Sequence, residues 1–235
     1  MHRRLLSKSV RMTETYDAGK RAAGYAAVDR FVRNGTCIGL GTGTTAYYAV
    51  ERVGQRIAAG EQIVAVATSE ETERLCRQWR VPLVELLERE IDVAIDGADE
   101  IAPDWALIKG GGGALFREKT VALSAARFVV IATPQKLVPM LGRFPLPVEI
   151  VPFAFRYVVR EILSSYPRIE VVRRGGDTPF VTDNGNWILD CHFGEIDNPA
   201  LLDETLKAIH GVVVSGIFVG LVSDVIIGHD DGTVS

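Results

Sequence analysis

The sequence contains few residues that could form disulfides or hold a metal ion. Of its 235 residues only three are cysteine, Cys37, Cys76 and Cys191, and they are scattered without metal-ligand spacing. An odd, dispersed set of this kind indicates reduced, buried thiols, which are typical of a cytoplasmic protein. The four histidines are also far apart. We therefore expect neither a disulfide framework nor a resident metal.

Long apolar runs and an excess of positive charge are missing as well. No apolar stretch reaches the roughly 18 residues of a membrane span. The basic segment before Met12 lacks the apolar core and cleavage site of a secretion signal, and we expect a disordered tail there, with Met12 as an alternative start. Lys and Arg number 26 against 30 Asp and Glu, so the net charge is −4. This balance argues against a nucleic-acid or membrane partner.

What is present fits a globular protein with a large core. Hydrophobic residues make up 47% of the chain and charged residues 24%. Through the first 143 residues, short apolar strands alternate with helices, which predicts an α/β fold with a mostly parallel sheet. We predict helices over 18–34, 45–59 and 68–79 and a fourth from about 114, and strands over 36–40, 63–67, 83–84, 92–95 and 128–132.

The pattern changes near Gly142, where prolines become frequent. We predict helices over 153–165 and 199–209, and strands over 170–173, 180–182 and 187–192. The turn Asp183-Asn184-Gly185-Asn186 between the last two strands is a strong hairpin signal. This α+β pattern predicts a smaller inserted domain over 144–211, with residues 1–143 and 212–235 forming the main domain. Apolar segments at 212–218 and 225–227 are expected to return to the first sheet.

A threonine-rich loop, Gly41-Thr42-Gly43-Thr44-Thr45, lies between a predicted strand and a predicted helix. Backbone N–H groups at a helix N-terminus favour an anion such as phosphate. The loop does not match the dinucleotide fingerprint, because Thr44 stands where the last glycine would be, and it lacks the lysine of a P-loop. A tight turn with a capping threonine is the alternative interpretation.

An acidic turn, Asp96-Gly97-Ala98-Asp99-Glu100, follows another buried strand. Ligands of open parallel sheets bind at the carboxyl ends of the strands, so this turn and the threonine loop are expected at the same edge. Two aspartates there could accept hydrogen bonds from sugar hydroxyls or move a proton. A metal site and a plain acidic turn are the alternatives.

Lys109 precedes four consecutive glycines, Gly110 to Gly113. Four glycines cost backbone entropy, and they allow a ligand to lie directly on the main chain or in an anion-binding nest. Lys109 would place positive charge against a developing oxyanion. A flexible hinge is the alternative.

Glu118 lies on the helix that follows the glycines. A free glutamate has a pKa of about 4.3 and is ionised at neutral pH. The helix N-terminus would lower this pKa and burial would raise it, and the sequence does not say which prevails. Because Arg117 and Lys119 flank it, an exposed, non-functional position is equally compatible with the spacing.

Taken in order, the segments GTGTTA, TSEET, DGADE, IKGGGGAL with REK, FPLPVE and VTDNGNWILD resemble the ribose-5-phosphate isomerase family of type A. The resemblance covers the chain from about Ala18 to Gly232. It implies a Rossmann-like domain with a smaller α+β, ferredoxin-like domain. It also implies a cofactor-free and metal-free isomerase of the pentose phosphate pathway that forms a homodimer or homotetramer.

The resemblance also assigns roles. Glu118 would be the base that moves a proton between carbons 2 and 1, while Asp96, Asp99 and Lys109 would handle ring opening and the enediolate. Lys136 and Lys20 would bind the phosphate, although neither has a motif of its own and exposed surface lysines are the default interpretation. The implied substrate contacts are Thr42, Gly43, Thr44, Thr45, Asp96, Gly97, Ala98, Asp99, Lys109, Gly110, Gly111, Gly112, Lys136 and Lys20.

Two other functions remain as alternatives. A sugar-phosphate-binding sensor module of a transcription regulator would need a DNA-reading domain, for which the short N-terminal segment has no room. A coenzyme A transferase-like enzyme shares α/β layering and a catalytic glutamate, but it would form a thioester.

Overall fold

The computed structural model describes residues 14–235 of the chain. The tail expected before Met12 lies outside the described residues. No helix in the described part has the length and apolar character to cross a membrane.

Five parallel strands form the main sheet, as the alternating pattern predicts. Their order is β12-β6-β3-β1-β2. The strands are β1 (Cys37–Leu40), β2 (Val64–Ala67), β3 (Val93–Asp96), β6 (Phe128–Ala132) and β12 (Asp224–Ile227). The helices of this part are α1 (Glu14–Phe31), α2 (Ala46–Ala58), α3 (Glu70–Gln78) and α4 (Leu115–Ser124). The strand predicted at 83–84 is reduced to one bridge between Leu83 and Ala65.

Helices cover both faces of this sheet, which explains its continuously apolar strands. Ile38 and Leu40 point to the core that α1 and α2 close, where Val28 and Val50 are fully buried. On the other face, α4 packs through Val121 in a second core. Gly39 is required there, because a Cβ at this position would lie 2.4 Å from Val121 Cγ1.

An antiparallel sheet of four strands forms the smaller unit. Along the chain it runs β7 (Leu146–Ile150), α5 (Phe155–Ser165), β8 (Glu170–Arg173), β9 (Trp187–His192), α6 (Pro199–Lys207) and β10 (Val212–Ser215). The strand order β10-β7-β9-β8 with this βαββαβ succession is ferredoxin-like, as expected. Strand β7 was not predicted.

The expectation for residues 212–218 is wrong, whereas the one for 225–227 is correct. Val212–Ser215 pairs with β7 in the antiparallel sheet, and Ile217–Phe218 (β11) pairs with a further strand, β5 (Leu107–Ile108). Only β12 returns to the parallel sheet. The division of the chain into two domains stays a prediction, and these pairings favour a second boundary after Ser215 rather than before Val212.

A short hairpin connects the two larger sheets. Strand β4 (Glu100–Ile101) pairs antiparallel with β5, so that Glu100 faces Ile108. Because the next pair outward is Asp99 and Lys109, this hairpin brings together two residues that are ten positions apart in the sequence. The hairpin therefore carries one carboxylate and one ammonium group to the edge of the main sheet.

Candidate active site

Three strands of the parallel sheet end at the same edge and deliver the site. Leu40 of β1 pairs with Ile95 of β3, so the threonine loop and the acidic turn leave the sheet side by side. Gly41 N donates to Ile95 O at 2.9 Å. Ala132 ends β6 beside them and leads to Lys136. The sequence prediction of a shared edge is therefore confirmed.

The ammonium group of Lys109 lies between two carboxylates at this edge. Its Nζ is 3.0 Å from Asp96 Oδ2 and 3.2 Å from Glu118 Oε2. It also donates to Gly97 O at 2.6 Å. All three charged side chains are at least 95% buried. The ammonium group of Lys109 therefore balances part of the negative charge of two buried carboxylates.

Asp96 is held in place by backbone N–H groups of the acidic turn and the threonine loop. Its Oδ1 accepts from Gly97 N at 2.7 Å and from Thr42 N at 3.2 Å. A Cβ at Gly41 would lie 2.0 Å from the same oxygen, so only glycine at 41 leaves room for this carboxylate. The loop and the acidic turn are thus joined through one aspartate.

Glu118 is buried because it lies on the inner stripe of α4. The buried positions of the helix are Leu115, Glu118, Val121 and Ala122, which share one face. Burial is the largest cause of a raised Glu118 pKa, opposed by Lys109 and assisted by the negative charge of Asp96, and the result is a pKa of about 8. The conflict left open by the sequence is therefore decided in favour of burial over the helix N-terminus.

The other two groups of the cluster also titrate away from their ordinary ranges. Burial raises the pKa of Asp96, although Lys109 and two backbone N–H groups oppose the shift. Burial disfavours the charge on Lys109, but Asp96 and Glu118 outweigh it and raise the pKa of the lysine. The three groups titrate as one unit, in which Lys109 stays protonated and the carboxylates compete for a further proton.

Asp99 and the glycine loop form another part of the site and contact each other directly. Gly111 N donates to Asp99 Oδ2 at 2.7 Å, and a Cβ at Gly111 would lie 2.7 Å from Asp99 Oδ1. Gly110 and Gly113 have φ values of +102° and +86°, which favour glycine. The run of glycines is therefore a shaped wall that lies against a carboxylate.

The threonine loop leads into the N-terminus of α2, which has no acidic residue in its first turn to neutralise the helix dipole. Thr42 is engaged elsewhere: its Oγ1 lies 2.7 to 3.1 Å from the hydroxyl oxygens of Thr68, Ser69 and Thr72. Its methyl group faces Gly112 across the site. Contact of the Thr42 hydroxyl with a ligand stays a prediction.

A cavity of about 130 Å³ collects most of the predicted residues. Its lining consists of Thr42, Gly43, Thr44, Thr45, Gly97, Ala98, Asp99, Lys109, Gly110, Gly111, Gly112, Glu118 and Lys136. Asp96 lies behind Lys109 and does not line it. Neither does Lys20, which is buried on α1, where the neighbouring Gly19 packs against Gly228 just after β12. A phosphate contact by Lys20 therefore stays a prediction.

Within residues 14–235, no group of three or more His, Cys, Asp and Glu side chains has the arrangement of a metal site. The position between Asp96 and Glu118, where a cation would balance the carboxylates, is taken by the ammonium of Lys109.

Sequence reasoning missed Arg174, which follows β8. Its Nη1 donates to Gly110 O at 2.9 Å and to Gly111 O at 3.2 Å. An isolated arginine beyond a short strand has no motif, and its proximity to the glycine loop depends on how the antiparallel sheet packs. No signal in the sequence could have identified it.

Comparisons with known proteins agree on one family. Residues 64–232 match the family model described as ribose 5-phosphate isomerase A (phosphoriboisomerase A). The chain is 48% identical over 217 residues to "Ribose-5-phosphate isomerase A" of Bacillus mycoides, which covers 92% of this chain and 95% of the relative. The protein of the same name from Bradyrhizobium diazoefficiens is 46% identical over 227 residues, with 92% and 94% covered.

Solved structures agree with the sequence relatives. Ribose 5-phosphate isomerase A from Methanocaldococcus jannaschii has a TM-score of 0.87 at 40% identity, covering 94% of this chain and 99% of the other. A D-ribose-5-phosphate isomerase in complex with phospho-erythronic acid has a TM-score of 0.88 at 36% identity, covering 95% and 98%.

Proposed function

This chain belongs to the ribose 5-phosphate isomerase A family, and we propose that Glu118 is the base with which it interconverts D-ribose 5-phosphate and D-ribulose 5-phosphate. The observation that carries the proposal is the buried Glu118–Lys109 pair at 3.2 Å on the wall of the cavity. The reaction moves one proton from carbon 2 to carbon 1 and a second from the hydroxyl of carbon 2 to the oxygen of carbon 1. A single carboxylate can carry the first of these, removing it from carbon 2 and returning it to carbon 1.

The donors of Lys109 explain how the base would become available. An ammonium group has three N–H donors. Three acceptors surround Lys109, namely Asp96, Glu118 and the carbonyl of Gly97. We propose that a substrate oxygen replaces Glu118, because its contact with Lys109 is the longest of the three at 3.2 Å and its side chain lines the cavity. The exchange places positive charge on the developing enediolate and releases the carboxylate to take the proton.

Asp96 and Asp99 have different positions and, we propose, different roles. Asp99 lines the cavity, so it can move the proton that opens the furanose ring. Asp96 lies behind Lys109, holds the ammonium group in place and raises its pKa. Asp96 thus acts on the substrate through Lys109.

The phosphate is proposed to bind between the N-terminus of α2 and Lys136. The first turn of α2 carries no acidic residue, Thr44 and Thr45 line the cavity, and Lys136 lies on the same lining. A helix N-terminus and a lysine on the lining of one cavity suit a dianion. The sugar carbons then extend from the phosphate towards Glu118.

Glu118→Gln tests the central assignment. Gln keeps the shape of the side chain and cannot accept the proton, so we expect kcat to fall by about 10²–10⁴-fold with KM nearly unchanged. The assay measures ketose formation from ribose 5-phosphate with EDTA present. Glu204→Gln, an exposed carboxylate on α6, serves as the matched control.

Three outcomes of this assay are informative. Near-normal turnover by Glu118→Gln would remove Glu118 from the role of base. Loss of wild-type activity in EDTA would show that the metal-free mechanism is wrong. If ribulose formed in deuterium oxide carried no deuterium at carbon 1 even at long reaction times, the proton would be transferred without exchanging with solvent while Glu118 holds it.

A homodimer or homotetramer in the cytoplasm is the further proposal. Phe153 is fully exposed, with Val151 and Tyr157 also exposed beside it in sequence, and apolar surface of this kind is typical of a subunit contact. The free cysteines are all buried, which suits a reducing compartment. Light scattering on wild type and Phe153→Ser would test the first part. An unchanged mass would exclude this surface.

A further inference from the structure

We propose that Arg174 is a positioning residue that fixes the glycine loop so that the N–H group of Gly112 points at the reacting oxygens. The inference rests on the proposed isomerase function of the cavity. The observation behind it is that Arg174, from the antiparallel sheet region, binds carbonyl groups of the glycine loop, whereas Asp99 binds an N–H group of the same loop.

Arg174 is itself held in a fixed orientation. Its Nε donates to Asp190 Oδ2 at 3.0 Å, and its Nη2 pairs with Asp190 Oδ1 at 2.5 Å. This two-point pairing with a carboxylate on β9 orients the planar guanidinium. The remaining Nη1 is thereby aimed at the carbonyls of Gly110 and Gly111.

Planar peptide bonds transmit this orientation to the cavity. In a trans peptide the C=O and the following N–H point in opposite directions. Gly110 O is bound by Arg174 while Gly111 N is bound by Asp99 at 2.7 Å, so that peptide is held at both ends. Gly111 O also faces Arg174, and Gly112 N–H must therefore point away from it. Gly112 lines the cavity, where this N–H can donate to an enediolate oxygen.

Phe180 holds the far end of the loop. A Cβ at Gly113 would lie 2.5 Å from two atoms of its ring, so the ring rests directly on the glycine backbone. The ring centre is 5.9 Å from the Arg174 guanidinium. Four glycines allow many conformations, and these contacts hold one of them together with the turn hydrogen bond from Gly113 N to Gly110 O at 3.0 Å.

Arg174→Met tests the proposal in the ribose 5-phosphate assay. Removing one oxyanion donor outright costs about 10²–10³-fold in kcat, so loosening the loop that holds one is expected to cost roughly 10- to 100-fold, with KM changed less than about 3-fold. Inhibition by phospho-erythronic acid, whose planar carboxylate resembles the enediolate, should weaken by a similar factor. The pH dependence of kcat/KM should stay that of the wild type, because Glu118 and Lys109 are not altered.

The neighbouring Arg173→Met is the matched control, since Arg173 bonds the carbonyl of Gly176 rather than the glycine loop. Asp190→Asn should reproduce part of the Arg174→Met loss, and guanidinium at a sub-denaturing concentration should restore part of the activity of Arg174→Ala. If Arg174→Met keeps the wild-type kcat, or loses it only in proportion to unfolded protein, the proposal is overturned. If the wild type itself were inactive, the proposed isomerase function would be wrong. Failure of that function can therefore be told apart from failure of the Arg174 proposal.

Discussion

At the scale of single residues, the burial of Glu118 sets the pH range in which it can act as a base. A base must be deprotonated in the free enzyme. The pKa of Glu118 is raised to about 8, and burial is the largest cause of this shift. We expect kcat/KM to fall about tenfold per pH unit below this value and to level off above it. Initial rates measured from about pH 6 to about pH 9.5, a range that brackets this pKa, would show the fall in kcat/KM on the acid side.

Two results would contradict this pH dependence. A profile that is flat from about pH 6 upward would mean that Lys109 keeps Glu118 ionised more strongly than burial opposes it. An acid limb that persists unchanged in Glu118→Gln would belong to another group. Glu204→Gln should give the wild-type profile.

Individual residues differ in how far the sequence could place them. The spacing of Leu115, Val121 and Ala122 already puts Glu118 on the apolar stripe of its helix, and this signal could have excluded the exposed position. Lys20 was expected at the surface by default and is buried. Arg174 could not be predicted, because its contacts join segments 64 residues apart.

At the scale of elements, the missed strand β7 has a physical explanation. Two prolines, Pro145 and Pro147, made the segment look like a loop, because proline cannot donate to a sheet. Pro147 lies just past the last β10 pair, Val148 with Ser215, and there its carbonyl accepts from Gly216 N at 2.7 Å. The strand therefore needs no N–H group from Pro147 on that side.

The hairpin turn at 182–186 connects three elements around the site. Glu149, fully buried on β7, accepts from Thr182 Oγ1 at 3.0 Å and from Asn186 Nδ2 at 2.9 Å. Asp183 accepts from Glu70 N at the start of α3, and Arg117, next to Glu118, donates to Asp183 O. The predicted turn is thus also a support for the helix that carries the proposed base.

Asn186→Ala should weaken this support. Loss of a donor to a buried carboxylate leaves part of its charge unsatisfied, and we expect the free energy of unfolding to fall by about 1–3 kcal/mol. Urea unfolding followed by circular dichroism measures the change. Asp177→Ala, an exposed aspartate in the same region, should lie within about 0.5 kcal/mol of wild type. A stability equal to wild type in Asn186→Ala would show that Glu149 has enough partners without it.

At the scale of the whole molecule, the site lies where the three sheets meet. The parallel sheet supplies Asp96, the short hairpin supplies Asp99 and Lys109, and the antiparallel region supplies Arg174. Alternating strands and helices predicted the first sheet. The position of Arg174 depends on packing between segments far apart in sequence, which local patterns do not encode. A carboxylate and a lysine buried at such a junction must affect the stability of the fold as well as the chemistry.

The last prediction concerns that stability. Folding raises the Glu118 pKa from its ordinary 4.5 to about 8, so the folded protein binds this proton more tightly than the unfolded chain. Its favourable contribution is fully present below about pH 4.5 and is lost as the pH rises through about 8. Glu118→Gln removes this loss, and the variant should gain stability relative to wild type between about pH 5 and 9.

Since one pKa unit corresponds to about 1.4 kcal/mol, the relative gain should exceed about 1 kcal/mol even after the coupling with Lys109 and Asp96 reduces it. Urea unfolding of both proteins at several pH values measures the difference, with Glu204→Gln expected to follow wild type throughout. A difference that stays constant with pH would mean that Glu118 titrates equally in the folded and unfolded chains. In that case neither its raised pKa nor the predicted loss of activity below about pH 8 could be maintained, because both follow from the same burial of one carboxylate beside Lys109.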